Sequence, residues 1–66
     1  MTRMKIDPEK IRDVIGPGGR MIRSITQETG TTIDVESDGT VIIGALNEEA
    51  ARKAISIIEG LTRDPV

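Results

Sequence analysis

Hydrophobic and polar residues alternate along three short segments of the chain, and this two-residue period predicts β-strands. The first segment covers residues 3–6. The second covers residues 31–36, which are rich in β-branched side chains, and the third covers residues 40–43. Asp38-Gly39, between the second and third segments, is typical of a two-residue hairpin turn. These two strands are therefore predicted to pair as an antiparallel hairpin.

Apolar residues recur at helical spacing in three other segments. A short amphipathic helix is predicted over residues 8–15, because Asp7 precedes it as a capping residue and a proline takes its first position. A second helix is predicted over residues 20–29, with Gly30 as its stop. Asn47 caps a third helix. The apolar stripe of that last helix consists of Ala50, Ala51, Ala54, Ile55, Ile58 and Leu61.

The predicted element order is β-α-α-β-β-α, without internal repeats. A chain of 66 residues has room for one small core, so a single domain is expected over residues 1–66, with its folded part at about residues 4–62. Residues 63–66 are similar to the start of a linker. The residues predicted to form the core are Ile11, Ile25, Ile55 and Ile58.

Five residue types are absent, and their absence excludes several classes of function. Without cysteine and histidine the chain has no disulfide framework, no zinc finger and no thiol or imidazole catalyst. Without aromatic residues it has no stacking platform for bases. No apolar run is long enough to span a membrane. A chain without cysteine fits a cytoplasmic location.

The net charge of −2 argues against nucleic acid as a partner, but the distribution of charge argues differently. Residues 1–33 carry six basic and four acidic side chains, whereas residues 34–66 carry three basic and seven acidic ones. A polyanion responds to the local patch within a Debye length of about 8–10 Å. The basic residues of the stretch 10–23, which has a net charge of +3, are Lys10, Arg12, Arg20 and Arg23.

Residues 16–19, with the sequence Gly-Pro-Gly-Gly, interrupt the helical pattern and fit two common phosphate-binding motifs poorly. A dinucleotide fingerprint needs a third glycine where Met21 stands, and a strand before the loop. A P-loop needs a Gly-Lys-Ser/Thr sequence, which does not follow. The acidic residues 34–38 match the start of a calcium loop, but Ala45 stands where the bidentate glutamate belongs. No metal site is therefore indicated.

The loop nevertheless has the features of a phosphate site. Glycines without Cβ atoms let a sugar-phosphate chain approach Gly16 and Gly19 closely. The start of the following helix offers free N–H groups and a partial positive charge to an anion. Arg20 and Arg23 lie on the first turn of that helix.

The stretch 14–22 resembles the I-G-x-x-G-x-x-I signature of KH domains, and the predicted element order resembles the type I KH fold. This resemblance covers about residues 4–62. It implies an α+β fold in which a three-stranded antiparallel sheet carries three helices on one face. Residues 5–19, the Glu28-Thr29-Gly30 stop and the short hairpin are similar, more narrowly, to KH domains of bacterial polynucleotide phosphorylases (polyribonucleotide nucleotidyltransferases).

The resemblance implies a module in which a GxxG loop grips about four nucleotides of single-stranded RNA. An aliphatic groove would take the bases, and strand backbone around Ile33 would read their edges. Ile15, Ile22 and Ile33 are expected to serve both core and groove. Many KH loops carry a basic residue where this chain has Pro17-Gly18, so weak binding is expected. The RNA-binding residues implied are Ile15, Gly16, Pro17, Gly18, Gly19, Arg20, Ile22, Arg23, Ile33 and Val35, with Lys10 and Arg12 as weaker candidates.

The narrower resemblance also implies partners outside this chain. Catalytic and OB-fold domains would neighbour it in a homotrimeric enzyme that degrades mRNA from 3′ to 5′ by phosphorolysis. Magnesium would belong to those catalytic domains, so this chain is expected to need no cofactor, to lack catalysis of its own and to be a monomer when isolated.

Two other functions stay open at this point. Residues 15–18 also resemble the glycine hairpin of helix-hairpin-helix modules, which bind duplex DNA. Alternatively, the sheet face or the last helix would dock on neighbouring domains, and the chain would then be an assembly module.

Overall fold

The computed structural model describes residues 1–63, and their element order is the predicted β-α-α-β-β-α. Residues 64–66, which were expected with Arg63 to begin a linker, lie outside the described residues. The three strands are β1 (Thr2–Lys5), β2 (Thr32–Val35) and β3 (Thr40–Gly44). The three helices are α1 (Ile11–Ile15), α2 (Arg20–Thr29) and α3 (Glu48–Thr62).

The segment predicted as one helix over residues 8–15 is divided into a tight turn and a short helix. Pro8–Lys10 form a 3₁₀ turn, in which the N–H of Lys10 donates to the carbonyl of Asp7 at 2.8 Å, and α1 follows. The predicted cap is confirmed, because Oδ1 of Asp7 accepts a hydrogen bond from the N–H of Glu9 at 2.9 Å. Such 3₁₀ turns are common where an α-helix begins.

Strand β3 is the centre of an antiparallel sheet with the order β1-β3-β2. The register pairs Met4 with Val41 and Val41 with Val35, so these side chains share one face, and the helices cover it. This confirms the α+β fold that the resemblance implied. A β-hairpin rather than another helix follows α2, which is inconsistent with a helix-hairpin-helix module.

The core lies between this sheet face and the helices. Of the four isoleucines predicted to form it, Ile25 and Ile58 are buried, whereas Ile11 and Ile55 are half-buried and pack against the buried cluster. The buried apolar side chains are Ile6, Val14, Ile25, Val41, Ile43, Ala54 and Ile58.

The hairpin between β2 and β3 has a three-residue loop, so the predicted two-residue turn is wrong by one residue. The N–H of Gly39 donates to the carbonyl of Glu36 at 3.0 Å, and the N–H of Glu36 donates to the carbonyl of Thr40 at 2.8 Å. Asp38 accepts the N–H of Thr40 at 2.9 Å, and this hydrogen bond lowers the pKa of the Asp38 carboxyl. Three-residue hairpin loops usually consist of a turn followed by a glycine with positive φ, and Gly39 has a φ of +98°.

Gly39 is also the point at which the hairpin meets β1. The N–H of Ile6 donates to the carbonyl of Gly39 at 2.8 Å. A Cβ atom at Gly39 would overlap the carbonyl oxygen of Ile6. Positive φ and this close backbone contact therefore both require glycine at the position.

Two glycine-to-alanine substitutions are expected to change stability in opposite directions. Gly39→Ala should lower the free energy of unfolding by at least about 2 kcal/mol, because it adds left-handed strain and an overlap with β1. Gly60→Ala should raise it by about 0.5–1 kcal/mol, because Gly60 lies in α3 with open space around a Cβ atom. Thermal unfolding followed by circular dichroism measures both, and equal changes in the two variants would contradict this account.

Candidate nucleic-acid interface

Gly16 determines the path of the loop between α1 and α2. Its N–H donates to the carbonyl of Arg12 at 2.8 Å and closes α1, and its φ of +72° then turns the chain. A Cβ atom at Gly16 would lie 2.7 Å from the Cβ of Met21 and 3.0 Å from its nitrogen. Glycine is therefore required where the chain passes the first turn of α2. No local pattern in the sequence predicts this contact between Met21 and Gly16.

The rest of the loop presents bare backbone to solvent. Pro17–Gly19 form one 3₁₀ turn, in which the N–H of Gly19 donates to the carbonyl of Gly16 at 3.2 Å. A Cβ atom at Gly18 or Gly19 would have no heavy atom within 4 Å, and both residues have positive φ, +64° and +76°. The outer side of the loop is consequently open, and a ligand backbone can approach it without displacing a side chain.

Exposed arginines lie on both sides of the loop. Arg12 lies one turn before Gly16, Arg20 is the first residue of α2, and Arg23 follows one turn later. Within residues 1–63 none of these three arginines forms an ion pair. Their positive charge is therefore available to an anion bound at the loop. Lys10, the other basic residue of this stretch, is half-buried.

The four predicted aliphatic residues divide into two pairs. Ile15 ends α1 and Ile22 lies in the first turn of α2, and both are half-buried side chains outside the core cluster. Ile33 and Val35 lie on β2, and they are half-buried against the core. Helix α1 packs against α2, and α2 packs against β2, so the two pairs lie on neighbouring elements. Ile15 and Ile22 thus have exposed apolar surface that a ligand can contact without disturbing the packing of the core.

Strand β2 is an edge strand, and its hydrogen-bonding pattern leaves alternate backbone groups facing outward. The N–H of Glu36 bonds to β3, and in an antiparallel pair every second residue does so. Asp34 therefore also bonds to β3, opposite Ile42, whereas the N–H and C=O groups of Ile33 and Val35 point away from it. The edge thus offers donors and acceptors beside two aliphatic side chains.

The remaining chemistry of residues 1–63 is sparse. No group of three or more acidic side chains among these residues is arranged to hold a metal ion. The acidic residues 34–38 lie along β2 and its turn, where the Asp38 carboxylate accepts a backbone N–H. None of the helices in this part of the chain has the length and apolar character that a membrane crossing needs.

The chain matches one family model and is similar in sequence to proteins of one name. A family model described as KH domain matches residues 1–60. The chain is 59% identical over 64 residues to a polyribonucleotide nucleotidyltransferase of Dehalococcoides mccartyi, and the match covers 97% of the chain and 9% of that protein. It is 62% identical over 65 residues to the Thermomicrobium roseum protein of the same name, covering 98% of the chain and 8% of that protein. The chain thus spans less than a tenth of these relatives.

Two solved structures have the same fold. The crystal structure of Dim2p from Pyrococcus horikoshii matches with a TM-score of 0.88 at 28% sequence identity, over 97% of this chain and 42% of that chain. The complex of a/eIF2alpha, aDim2p and rRNA from the same organism matches with a TM-score of 0.84 at 28% identity, over 97% of this chain and 39% of that chain.

Proposed function

This chain belongs to the KH domain family, and from that membership we propose that it binds single-stranded RNA through the loop between α1 and α2. The observation that carries the proposal is the open backbone at Gly18 and Gly19, which lies between arginines that form no ion pair within residues 1–63. That one of the structurally similar chains was solved in a complex with rRNA supports the proposal.

The phosphate backbone of the RNA would lie along the outer side of the loop. Without Cβ atoms at Gly18 and Gly19, a phosphate can approach the main chain closely. The ten-residue helix α2 begins at this point, and its N-terminal end favours negative charge. Arg20 and Arg23 would add charge-assisted hydrogen bonds from that helix, with Arg12 facing the loop from α1. About four nucleotides are held in this mode.

The bases would lie over the aliphatic side chains between the loop and β2. Ile15 and Ile22 would contribute apolar contact, and Ile33 and Val35 would form the floor towards the sheet. The outward N–H and C=O groups of β2 can pair with base edges without an aromatic ring. Because contacts to aliphatic residues discriminate little between bases, the grip should be weak and sequence-tolerant.

Within a longer protein like the polyribonucleotide nucleotidyltransferases, this domain would hold RNA for a separate catalytic part. We place that role in the phosphorolytic 3′-to-5′ degradation of bacterial mRNA in the cytoplasm, where magnesium-dependent catalytic domains and an OB-fold domain neighbour the chain in a trimer. The high identity to proteins of that name supports this role.

Placing negative charge in the loop should abolish RNA binding without unfolding the chain. In the variant Pro17→Asp/Gly18→Asp, each carboxylate about 4 Å from a phosphate costs about 1 kcal/mol in bulk water and about 4 kcal/mol near a protein surface. Two such pairs weaken binding by more than about tenfold. Titration of a fluorescent single-stranded oligonucleotide measures the loss.

The matched control is Pro17→Asn/Gly18→Asn, which has nearly the same shape and no charge. Asparagine and aspartate both tolerate the left-handed backbone of Gly18, so the two variants share any strain. The asparagine variant should retain most of the binding, and both should melt at similar temperatures. Equal RNA affinity of the aspartate variant and the parent chain would instead favour an assembly module.

Salt dependence should report the number of arginine contacts. With two to three phosphates neutralised, the log–log slope of affinity against salt should be about −1.4 to −2.1 for a single strand, and affinities should be micromolar to millimolar. Arg20→Ala and Arg23→Ala should each make the slope shallower by about 0.7. Arg52→Ala, on the exposed side of α3, is the control and should leave it unchanged. A slope steeper than about −5 would place the RNA elsewhere on the chain.

A further inference from the structure

The sheet face opposite the helices, here called the open face, carries three columns of side chains with different charge. Along β1 the column is basic, with Arg3 and Lys5 exposed. Along β3 it is uncharged, with Thr40, Ile42 and Gly44 half-buried. The column of β2 and the start of its turn is acidic, and it consists of Thr32, Asp34 and Glu36, all exposed.

The strand register places opposite charges in the same row. Arg3 pairs with Ile42 on one side of β3, and Asp34 pairs with Ile42 on the other. Arg3 and Asp34 are thus two strand spacings apart, about 10 Å. Neither side chain is in an ion pair within residues 1–63. Each of the two charges is therefore available to a group outside the chain.

The next row repeats this arrangement. Lys5 pairs with Thr40, and the N–H of Glu36 bonds to the carbonyl of Thr40 from the other side. Lys5 also faces the turn, where the pKa of Asp38 is lowered first by the hydrogen bond from Thr40 and further by the charge of Lys5. The charge of Lys5 is therefore partly engaged, and the Arg3 row is the stronger of the two.

We propose that the open face associates with the open face of a second copy of this chain, about a two-fold axis parallel to β3. Rotation about that axis places each β1 column over the β2 column of the partner copy, and each β3 over the other β3. Arg3 then meets Asp34 of the second copy, Lys5 meets Glu36, and the two Ile42 side chains meet at the centre. One patch complements itself, as an isologous interface requires.

The charge pattern selects this arrangement over its alternatives. A two-fold axis across the strands would stack β1 on β1 and β2 on β2, so that like charges would face each other. A polyanion on the open face would meet Asp34 and Glu36 beside the basic column. A second copy in the chosen orientation gives each of the four charged side chains of the open face a partner of opposite charge. For this reason we propose a second copy, and not a polyanion, as the binding partner of the open face.

The size of the open face makes this association weak. Three strands about 4.8 Å apart, with about five residues each, present a surface of about 15 by 16 Å. The area buried is thus on the order of 240 Å² per copy, against roughly 800 Å² in a stable interface. At micromolar concentrations the chain should be a monomer, and the RNA loop, which lies in the helical layer, stays free in the pair.

A charge-swap experiment tests the proposal. Arg3→Glu/Lys5→Glu makes both outer columns acidic, and Asp34→Lys/Glu36→Lys makes both basic, so each variant alone should lose self-association. An equimolar mixture of the two should associate, because each acidic column then meets a basic one. Sedimentation equilibrium at low salt measures the mass, at a chain concentration of about 1 mM that suits a dissociation constant of the same order. Circular dichroism verifies that both variants fold.

The parent chain and a control variant complete the design. The parent should show a mass that rises with concentration at low salt and falls back in about 1 M salt, where the Debye length is about 3 Å. Its concentration-dependent amide shifts should map to the three strands. Arg52→Glu/Lys53→Glu on α3 makes the same change in charge and should associate like the parent. A parent that stays monomeric at about 1 mM, or a mixture that fails to associate, would overturn the proposal.

Discussion

The close passage of the Gly16 backbone across the first turn of α2 is the contact on which the candidate site depends. Four residues connect α1 to α2, and on either side of this link Val14 and Ile25 are buried in the same core. A link this short must turn sharply, and a Cβ atom at Gly16 would press on Met21. The turn directs the remaining loop backbone outward, beside the start of α2. The turn at Gly16 thus both lets α1 and α2 pack on one core and leaves the loop backbone accessible.

The core that residues 1–63 form has seven buried apolar side chains, and a chain of this size has too little stability to give up many of them for binding. The candidate site is accordingly built from groups that the core does not need: loop backbone, exposed arginines and the half-buried Ile15 and Ile22. Ile33 and Val35 are the exceptions, because they pack on the core and also lie beside the free backbone groups of β2. Substituting those two would change stability and the proposed RNA contact together, which makes the loop the better place for a test.

The fold separates basic from acidic side chains twice, first between the two sides of the sheet and then between β1 and β2 on the open face. The arginines near the loop belong to the helical layer, whereas Asp34 and Glu36 project from the opposite side of the sheet. A chain with a net charge of −2 thereby has a locally basic surface beside the loop. On the open face itself the basic and acidic columns are held apart by β3, so they attract another molecule instead of neutralising each other.

Local patterns determined the element order, the loop, the helix caps at Asp7 and Asn47, and the family resemblance, because caps, glycines and periodicity act over a few neighbouring residues. The local pattern does not show, in contrast, the distant contact in which Gly39 packs on the backbone of Ile6. Likewise, no local pattern separates the half-buried Ile15 from the core, or tells which groups of β2 face outward. Helix packing leaves Ile15 outside the core, and the distant strand β1 takes the other side of β3 and leaves β2 at the edge, so only the tertiary structure decides these features.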